Sequence, residues 1–222
     1  MRRRQFAVIG LGKFGFHVAQ ALSQAGCEVM AIDTDSEKVQ SVSEFVAHAL
    51  QCDASDEKAI REAGVQNMDV AIVSVGGNLE ASILIVMNLR ELGMKEIIAK
   101  ATSPIHGKVL NNLGVKRVIY PEKESAVRVA HSLVTPNLLE YLELAPGYSI
   151  AEIPVPRALV EKTLRESQIR ALYGVNIIAI RKSTLSGMIF NTNPGPDDVL
   201  ASRDVIVIIG RDEDIQKLSN LQ

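Results

Sequence analysis

The sequence predicts an α/β protein: a Rossmann-type, doubly wound parallel sheet followed by a second, smaller α/β lobe. Three observations lead there. Short, nearly all-apolar runs alternate with capped, amphipathic segments from Gln5 to Pro121. The first of these runs, "FAVIGLGKFG", empties directly into a Gly-x-Gly-x-x-Gly turn at Gly10, Gly12 and Gly15. After Pro121 the regular alternation stops, and a different mixture of helix and strand signals begins.

The elements follow in order. "QFAVIG" reads as a buried strand, and "HVAQALSQAG" as a helix closed by Gly26. "EVMAID" is the second strand, and "DSEKVQSVSE" a helix with an acidic first turn. "FVAHALQCD" is a third strand, "SDEKAIREAG" a capped helix ending at Gly64, and "DVAIVSV" a fourth strand. The long helix "NLEASILIVMNLRELG" stops at Gly93 and is followed by a fifth strand, "EIIAKAT". "PIHGKVLNNLG" carries Pro at its helical start, and "KRVIYP" closes the series as a sixth strand.

Beyond Pro121, "EKESAVRVAHSLVTPNLLEYLEL" reads as helix, interrupted near Thr135-Pro136. "APGYSIAEIPVP" is a turn and a strand, "RALVEKTLRESQIRALYG" mainly helical, and "VNIIAIRK" a strand. "STLSGMIFNTNPGPDD" is loop-rich with one short strand, "DVIVIIG" a buried strand, and "DEDIQKLSNL" a closing helix. The expected divisions are 1–121 for a nucleotide-binding domain, 122–137 for a crossover helix and 138–222 for a regulatory lobe.

Composition limits the function. The chain has 222 residues, 47% hydrophobic and 23% charged, enough apolar material for a real core. A net charge of −2 gives no general electrostatic case for nucleic acid or anionic membrane. No apolar run approaches the ~20 residues of a membrane helix, so direct membrane insertion is not expected. Cys27 and Cys52 have no CxxC partner and are expected as buried thiols in a reducing compartment, not as a disulfide. His17, His48, His106 and His131 are scattered without metal-ligand spacing.

The glycine motif has the context that makes it specific. Gly10 permits the tight turn, Gly12 lets backbone approach a pyrophosphate, and Gly15 lets the helix pack on the sheet. The helix N-terminus then directs its N–H groups at phosphate. Asp33 ends the second strand, near the offset at which a carboxylate accepts from ribose hydroxyls, and its charge disfavours a 2′-phosphate. Asp35 reads either as a ligand contact or as a helix cap. Asp53, in "QCDAS", could bond the adenine amino group or cap the next helix. Lys13 suits phosphates extending past the turn, or is simply a solvated lysine at a helix start.

No catalytic constellation accompanies the motif. There is no His-carboxylate pair at suggestive spacing, no Tyr-x-x-x-Lys dyad and no GxSxG. An NAD-dependent oxidoreductase stays open as the alternative reading. A redox-responsive repressor fits poorly, since no winged-helix segment precedes the glycine motif.

The stretches "FAVIGLGKFG", "AIDTD", "QCDASDE", "VSVGGNLEAS", "AKATSP" and "YPEKESA", in this order, resemble the regulator-of-K⁺-conductance (RCK) domains. The likeness is closest to the cytosolic gating subunits of Ktr/Trk-type potassium transport systems. "SIAEIPVP", "LRESQIRALYGVNIIAIRK" and "DVIVIIG" look like the small C-terminal lobe of the same family. The resemblance implies a regulatory, non-enzymatic protein, cytoplasmic and peripheral on the membrane through its partner. It implies an octameric ring that binds ATP or ADP (NAD or NADH being further possibilities) and gates a separate integral-membrane K⁺-translocating subunit, KtrB/TrkH-like. Carried over by position, the nucleotide would contact Gly10, Gly12, Lys13, Phe14, Gly15, Asp33, Asp53, Ala54, Glu80 and Lys100. Lys13 stands where the family commonly has Arg, which keeps the charge but loses the bidentate fork. Glu122 matches a position that binds an activating cation (Mg²⁺, Ca²⁺ or Na⁺) between subunits, or is a surface carboxylate at a helix start. Arg170, Asn176, Ile177 and Ile178 fall in the stretch that binds cyclic di-AMP in related proteins. The isoleucines there would serve as core or interface strand in any case.

Overall fold

The computed structural model describes residues 4–134, 139–184 and 187–221. The chain divides into two compact units, 1–122 and 123–222.

The first unit is built from six parallel strands. These are β1 (Gln5–Ile9), β2 (Glu28–Asp33), β3 (His48–Gln51), β4 (Val70–Val73), β5 (Ile97–Lys100) and β6 (Arg117–Ile119). Their order across the sheet is β3-β2-β1-β4-β5-β6, with register pairs such as Val8 to Ala31 and Val8 to Ile72. β1 therefore sits where the winding reverses, and a crevice opens at the carboxyl ends of the strands on either side of it. The helices between strands are α1 (Lys13–Gln24), α2 (Ser36–Val42), α3 (Glu57–Glu62), α4 (Leu79–Glu91) and α5 (Pro104–Asn112). They cover both faces, which is why β4 is apolar and buried at all four positions. One core layer gathers Ile9, Ile32, Val73 and Leu89, and the other Val8, Ala31, Val42 and Ile72.

Local chemistry sets the helix starts. Asp35, Asp56, Asn78 and Ser103 each accept a backbone N–H of the turn that follows, capping α2, α3, α4 and α5. α1 is the exception: its N-cap is Gly12, without a side-chain cap and with no acidic residue in its first turn. The third strand is shorter than "FVAHALQCD" suggests, because Phe45 and Val46 are still bonded back to Val42 as a turn. α6 (Pro121–Val134) starts at the boundary between the units. The expected break at Thr135-Pro136 lies outside the described residues.

The second unit is a five-stranded antiparallel sheet, ordered β10-β9-β11-β8-β7. Its strands are β7 (Glu140–Ala145), β8 (Tyr148–Pro154), β9 (Asn176–Thr184), β10 (Gly187–Asn191) and β11 (Val205–Arg211). The short helices α7 (Leu164–Ser167) and α8 (Ile169–Tyr173) and the closing α9 (Asp212–Ser219) complete it. Its core is Ile153, Ile180, Leu200, Ile206, Ile208 and Leu218. The stretch expected as mainly helical, 157–174, is instead a single 3₁₀ turn and two short helices, broken at Gln168 with φ of 46°.

"NLLEYLEL", expected as helix, is corrected: Glu140–Ala145 is strand β7. Leu and Glu favour helix locally, but Pro146-Gly147 turns the chain straight back, with Gly147 at a φ of +79°. Pairing of Tyr141 with Ala151 then places the tyrosine ring against the core, and its hydroxyl donates to Asp212 at 3.3 Å. Tertiary pairing overrides propensity here.

Candidate functional site

The crevice at the sheet's winding reversal is a cleft of about 450 Å³. Its floor is the glycine turn, and the ends of β2, β3 and β4 supply its walls.

The turn is fixed by close contacts. Gly10 has a φ of +91°, a conformation that L side chains rarely adopt. A Cβ on Gly15 would lie 1.9 Å from the Gly10 carbonyl oxygen, so α1 can only meet the turn through glycine. Gly12 differs. Its φ is an ordinary −64°, and a Cβ there would meet no atom within 4 Å. Neither backbone strain nor crowding by the protein calls for glycine at that position. Gly77, across the cleft, likewise has open space where a Cβ would project.

Asp33 braces the turn. Its Oδ2 accepts the Leu11 N–H at 2.6 Å and its Oδ1 the Asp35 N–H at 2.9 Å, with the side chain 9% exposed. Asp35 caps α2 through Glu37 N–H, and Asp35 does not line the cleft. The cap is thus the role that the structure shows for Asp35. Asp53 does line the cleft, but its Oδ1 accepts from the N–H and the hydroxyl of Ser55, at 2.9 and 2.6 Å. The cap of the following helix is Asp56, not Asp53.

The sequence reading misses several residues that line or support the walls. Asn88, 8% exposed on the buried face of α4, donates from Nδ2 to the carbonyls of Ala54 and Ser55, at 3.2 and 2.9 Å. A carboxamide among Ile85, Val86 and Leu89 is stabilising only because both bonds are made. The loop after β4, Ser74 to Asn78, forms the wall opposite Asp33. The "VSVGGN" stretch signals it, through paired glycines directly after a strand. Lys38 and Cys52 line the cleft as well. Burial and the charges of Asp53 and Asp56 push the Cys52 thiol above its ordinary range. Cys27 and Cys52 are free thiols, each half-buried and not fully buried as expected.

Other expected residues lie elsewhere. Lys13 and Phe14 open α1 without lining the cleft, and Lys13 is exposed. Glu80 is exposed in the first turn of α4, where it borders a shallow apolar depression with Leu79, Ile83 and Leu84. Lys100 Nζ lies 2.5 Å from Glu122 Oε1, with side-chain exposures of 13% and 69%. That hydrogen bond holds the Glu122 carboxyl below the usual carboxylate range. The aliphatic end of Lys100 also passes beside Gly76, one residue of the cleft wall. Among the described residues, no cluster of three or more His, Cys, Asp or Glu side chains could hold a metal. His106 is buried, its Nδ1 facing the Thr102 N–H at 3.4 Å, and burial pushes its pKa down.

In the second unit, Arg170, Asn176 and Ile177 come together around a pocket of about 480 Å³, rimmed by Pro194 and Pro196. Asp198 pins that rim, accepting from Gly195 N–H at 2.8 Å and Lys182 Nζ at 2.9 Å. Ile178 does not line it. It occupies the irregularity where the β9–β11 register shifts, and is 39% exposed.

Comparison with known proteins matches this architecture half by half. The TrkA-N domain model matches residues 6–121 and the TrkA-C domain model residues 149–222. The chain is 40% identical over 215 residues to Ktr system potassium uptake protein C of Bacillus subtilis, covering 97% of this chain and 96% of that one. It is 37% identical to Ktr system potassium uptake protein A of the same organism, covering 99% and 97%. Among solved structures, the GsuK channel has the same fold over 99% of this chain, with a TM-score of 0.67 at 19% identity. This chain spans only 39% of that channel's length. The GsuK channel bound to NAD superposes with a TM-score of 0.63, at 18% identity over 99% of this chain and 40% of that one. No described helix is long and apolar enough to cross a membrane. Two domain models matched in sequence, and near full-length identity to two Ktr proteins, establish that this chain belongs to the TrkA family.

Proposed function

We propose that the protein is a nucleotide-sensing regulatory subunit that sets the activity of a separate membrane K⁺ transporter. One observation carries the nucleotide half of this reading: Gly12 and Gly77 leave open space across a cleft whose floor is an uncapped helix N-terminus. Glycine that neither φ nor protein packing requires is what a closely approaching phosphate would need. The names of the B. subtilis relatives, Ktr system potassium uptake proteins, support the transport half.

In this reading ATP or ADP occupies the cleft, with its inner phosphates on the glycine turn and its adenosine toward Asp33, Asp53 and Ala54. NAD or NADH is a second ligand class, in keeping with the NAD-bound GsuK channel. Residues 1–121 sense the nucleotide, 122–137 cross over and 138–222 regulate. The chain is not a catalyst. It acts on the cytoplasmic face of the membrane as part of an octameric ring, gating a K⁺-translocating subunit of the KtrB/TrkH kind. Exposed Leu79, Leu84 and Met87 on α4, with Ile105 on α5, supply an apolar face for ring contacts. Lys13, Phe14, Glu80 and Lys100 do not line the cleft of one chain, and act at the edge of the nucleotide or from a neighbouring copy. Glu122 holds an activating Mg²⁺, Ca²⁺ or Na⁺ in exchange for its partner Lys100. Cyclic di-AMP takes the pocket of Arg170, Asn176 and Ile177, with Ile178 beside it.

Nucleotide-dependent gating requires that ATP and ADP bind two ring conformations with different affinity. The test is K⁺ flux in vesicles carrying the membrane subunit, with the purified chain and either nucleotide. ATP and ADP should give different fluxes. Identical fluxes, or sustained substrate-dependent NADH turnover by the chain alone, would overturn the reading.

A further inference from the structure

The carboxylate that ends β2 has a cation beside it. Lys38, in the first turn of α2, brings Nζ to 3.5 Å from Asp33 Oδ1 and 3.6 Å from Asp35 Oδ2, and it lines the same cleft. Both distances are those of an ion pair, longer than a hydrogen bond. The Lys38 side chain is 45% exposed. The ammonium is thus held by charge and is not locked to one acceptor.

Asp33 is placed differently. Its Oδ2 is engaged by Leu11 N–H and its Oδ1 by Asp35 N–H. It anchors the glycine turn, and turning away to make room for a ligand would leave those donors unpaired. Of Asp33 and Lys38, Lys38 is the one that can reorient.

This changes what the site admits. A bare carboxylate at the end of β2 repels a phosphate on the ribose, and a nearby cation accommodates one. We propose that Lys38 is a specificity-determining residue of the cleft: its ammonium takes a phosphate on the ribose 2′- or 3′-hydroxyl of a bound adenine nucleotide. The proposal rests on the adenine-nucleotide reading above and extends it to ribose-phosphorylated ligands. A compact ammonium with three donors on a flexible stem suits a tetrahedral phosphate approached from solvent. Asp35 opposes it, because its Oδ2 holds Lys38 when no ribose phosphate is present.

The test compares AMP with adenosine 2′,5′-bisphosphate and adenosine 3′,5′-bisphosphate, which differ from AMP only by the added phosphate. Each is titrated calorimetrically into the full-length protein and into its Lys38→Gln and Lys38→Arg variants. Lys38→Gln should weaken at least one bisphosphate about tenfold more than AMP, the scale of one lost charge-assisted contact. Lys38→Arg should keep that bisphosphate, and added salt should erode the difference. Equal loss for all three ligands, no loss for any, or a parent protein that binds AMP but neither bisphosphate would overturn the proposal. Failure of the parent to bind AMP, ADP or ATP would instead overturn the nucleotide reading on which it stands.

Discussion

At the scale of single residues, Asp33 joins two roles. Its carboxylate fixes the glycine turn to the end of β2 through the Leu11 N–H, and it lines the cleft, where the proposed reading puts a ribose. Asp33→Ala removes the acceptor of two backbone donors, one of them 2.6 Å away. The cost should be about 1–3 kcal/mol of folding stability, the penalty of unpaired backbone groups. Adenine-nucleotide affinity should fall with it. Denaturant unfolding and calorimetric titration measure the two separately. An unchanged unfolding midpoint would show that the brace is dispensable, and unchanged affinity that Asp33 is not a ribose ligand. At Lys100 and Glu122 the pairing is itself the finding. The family resemblance implies Glu122 as a cation ligand between subunits, or else a surface carboxylate at a helix start, and the structure pairs it with a lysine of its own chain.

At the scale of elements, α4 carries more of the site than its apolar sequence suggests. Asn88 reaches across to hold the loop after β3 by two carbonyls, so the cleft wall at Ala54 is set by a helix that follows it only after α3 and β4. Asn88→Leu keeps the volume and removes both donors. It should destabilise the protein by about 1–3 kcal/mol and, on the proposed placement of the nucleotide, weaken ATP more than inorganic triphosphate, because only the adenosine would use that wall. Proportionate loss for both ligands would argue against a positioning role. The start of α6 gives a pH-dependent prediction. The Lys100 hydrogen bond lowers the Glu122 pKa in the folded state. A lowered carboxylate pKa contributes stability that is present above the unfolded value and lost as pH falls through the folded one. Thermal melts of the parent and Glu122→Gln should therefore differ most near neutral pH and converge in acid. The difference should be small, because Glu122 is largely exposed. The same variant should lose the stabilisation that Mg²⁺ or Ca²⁺ gives in the presence of ATP while keeping ATP affinity. Identical cation-dependent shifts in parent and variant would remove Glu122 from the cation site.

At the scale of the whole molecule, the chain has two units with separate cores, and the proposed gating needs a group that distinguishes ATP from ADP. Lys13 is exposed next to the glycine turn without lining the cleft, which suits, in the proposed reading, a group that meets the terminal phosphate from the edge or from a second copy. Opposite unit charges ~4 Å apart near a surface attract by about 4 kcal/mol before desolvation. A net ATP preference of about 1 kcal/mol is then expected after that cost. Lys13→Ala should cut ATP affinity more than ADP affinity and blunt the ATP-dependent change in K⁺ flux, and Lys13→Arg should preserve both. Equal loss of the two nucleotides would make Lys13 a general phosphate contact.

The sequence by itself determined the six-stranded parallel half, because buried strands and capped helices are written in local patterns of polarity and in Gly, Asp and Ser at element ends. It also determined the glycine turn, whose residues are adjacent along the chain. It did not determine β7, where Leu and Glu speak locally for helix and only pairing across the Pro146-Gly147 turn makes a strand. Nor could it show that Asn88 holds Ala54, that Lys38 sits against Asp33 or that Lys100 pairs with Glu122. The partners in the first and last of these pairs stand 34 and 22 residues apart, and even Lys38 meets Asp33 only because α2 folds back over the end of β2. The tertiary structure decided those contacts: hydrogen bonds and charges act through space over a few ångströms, whereas the patterns legible in a sequence act along the chain.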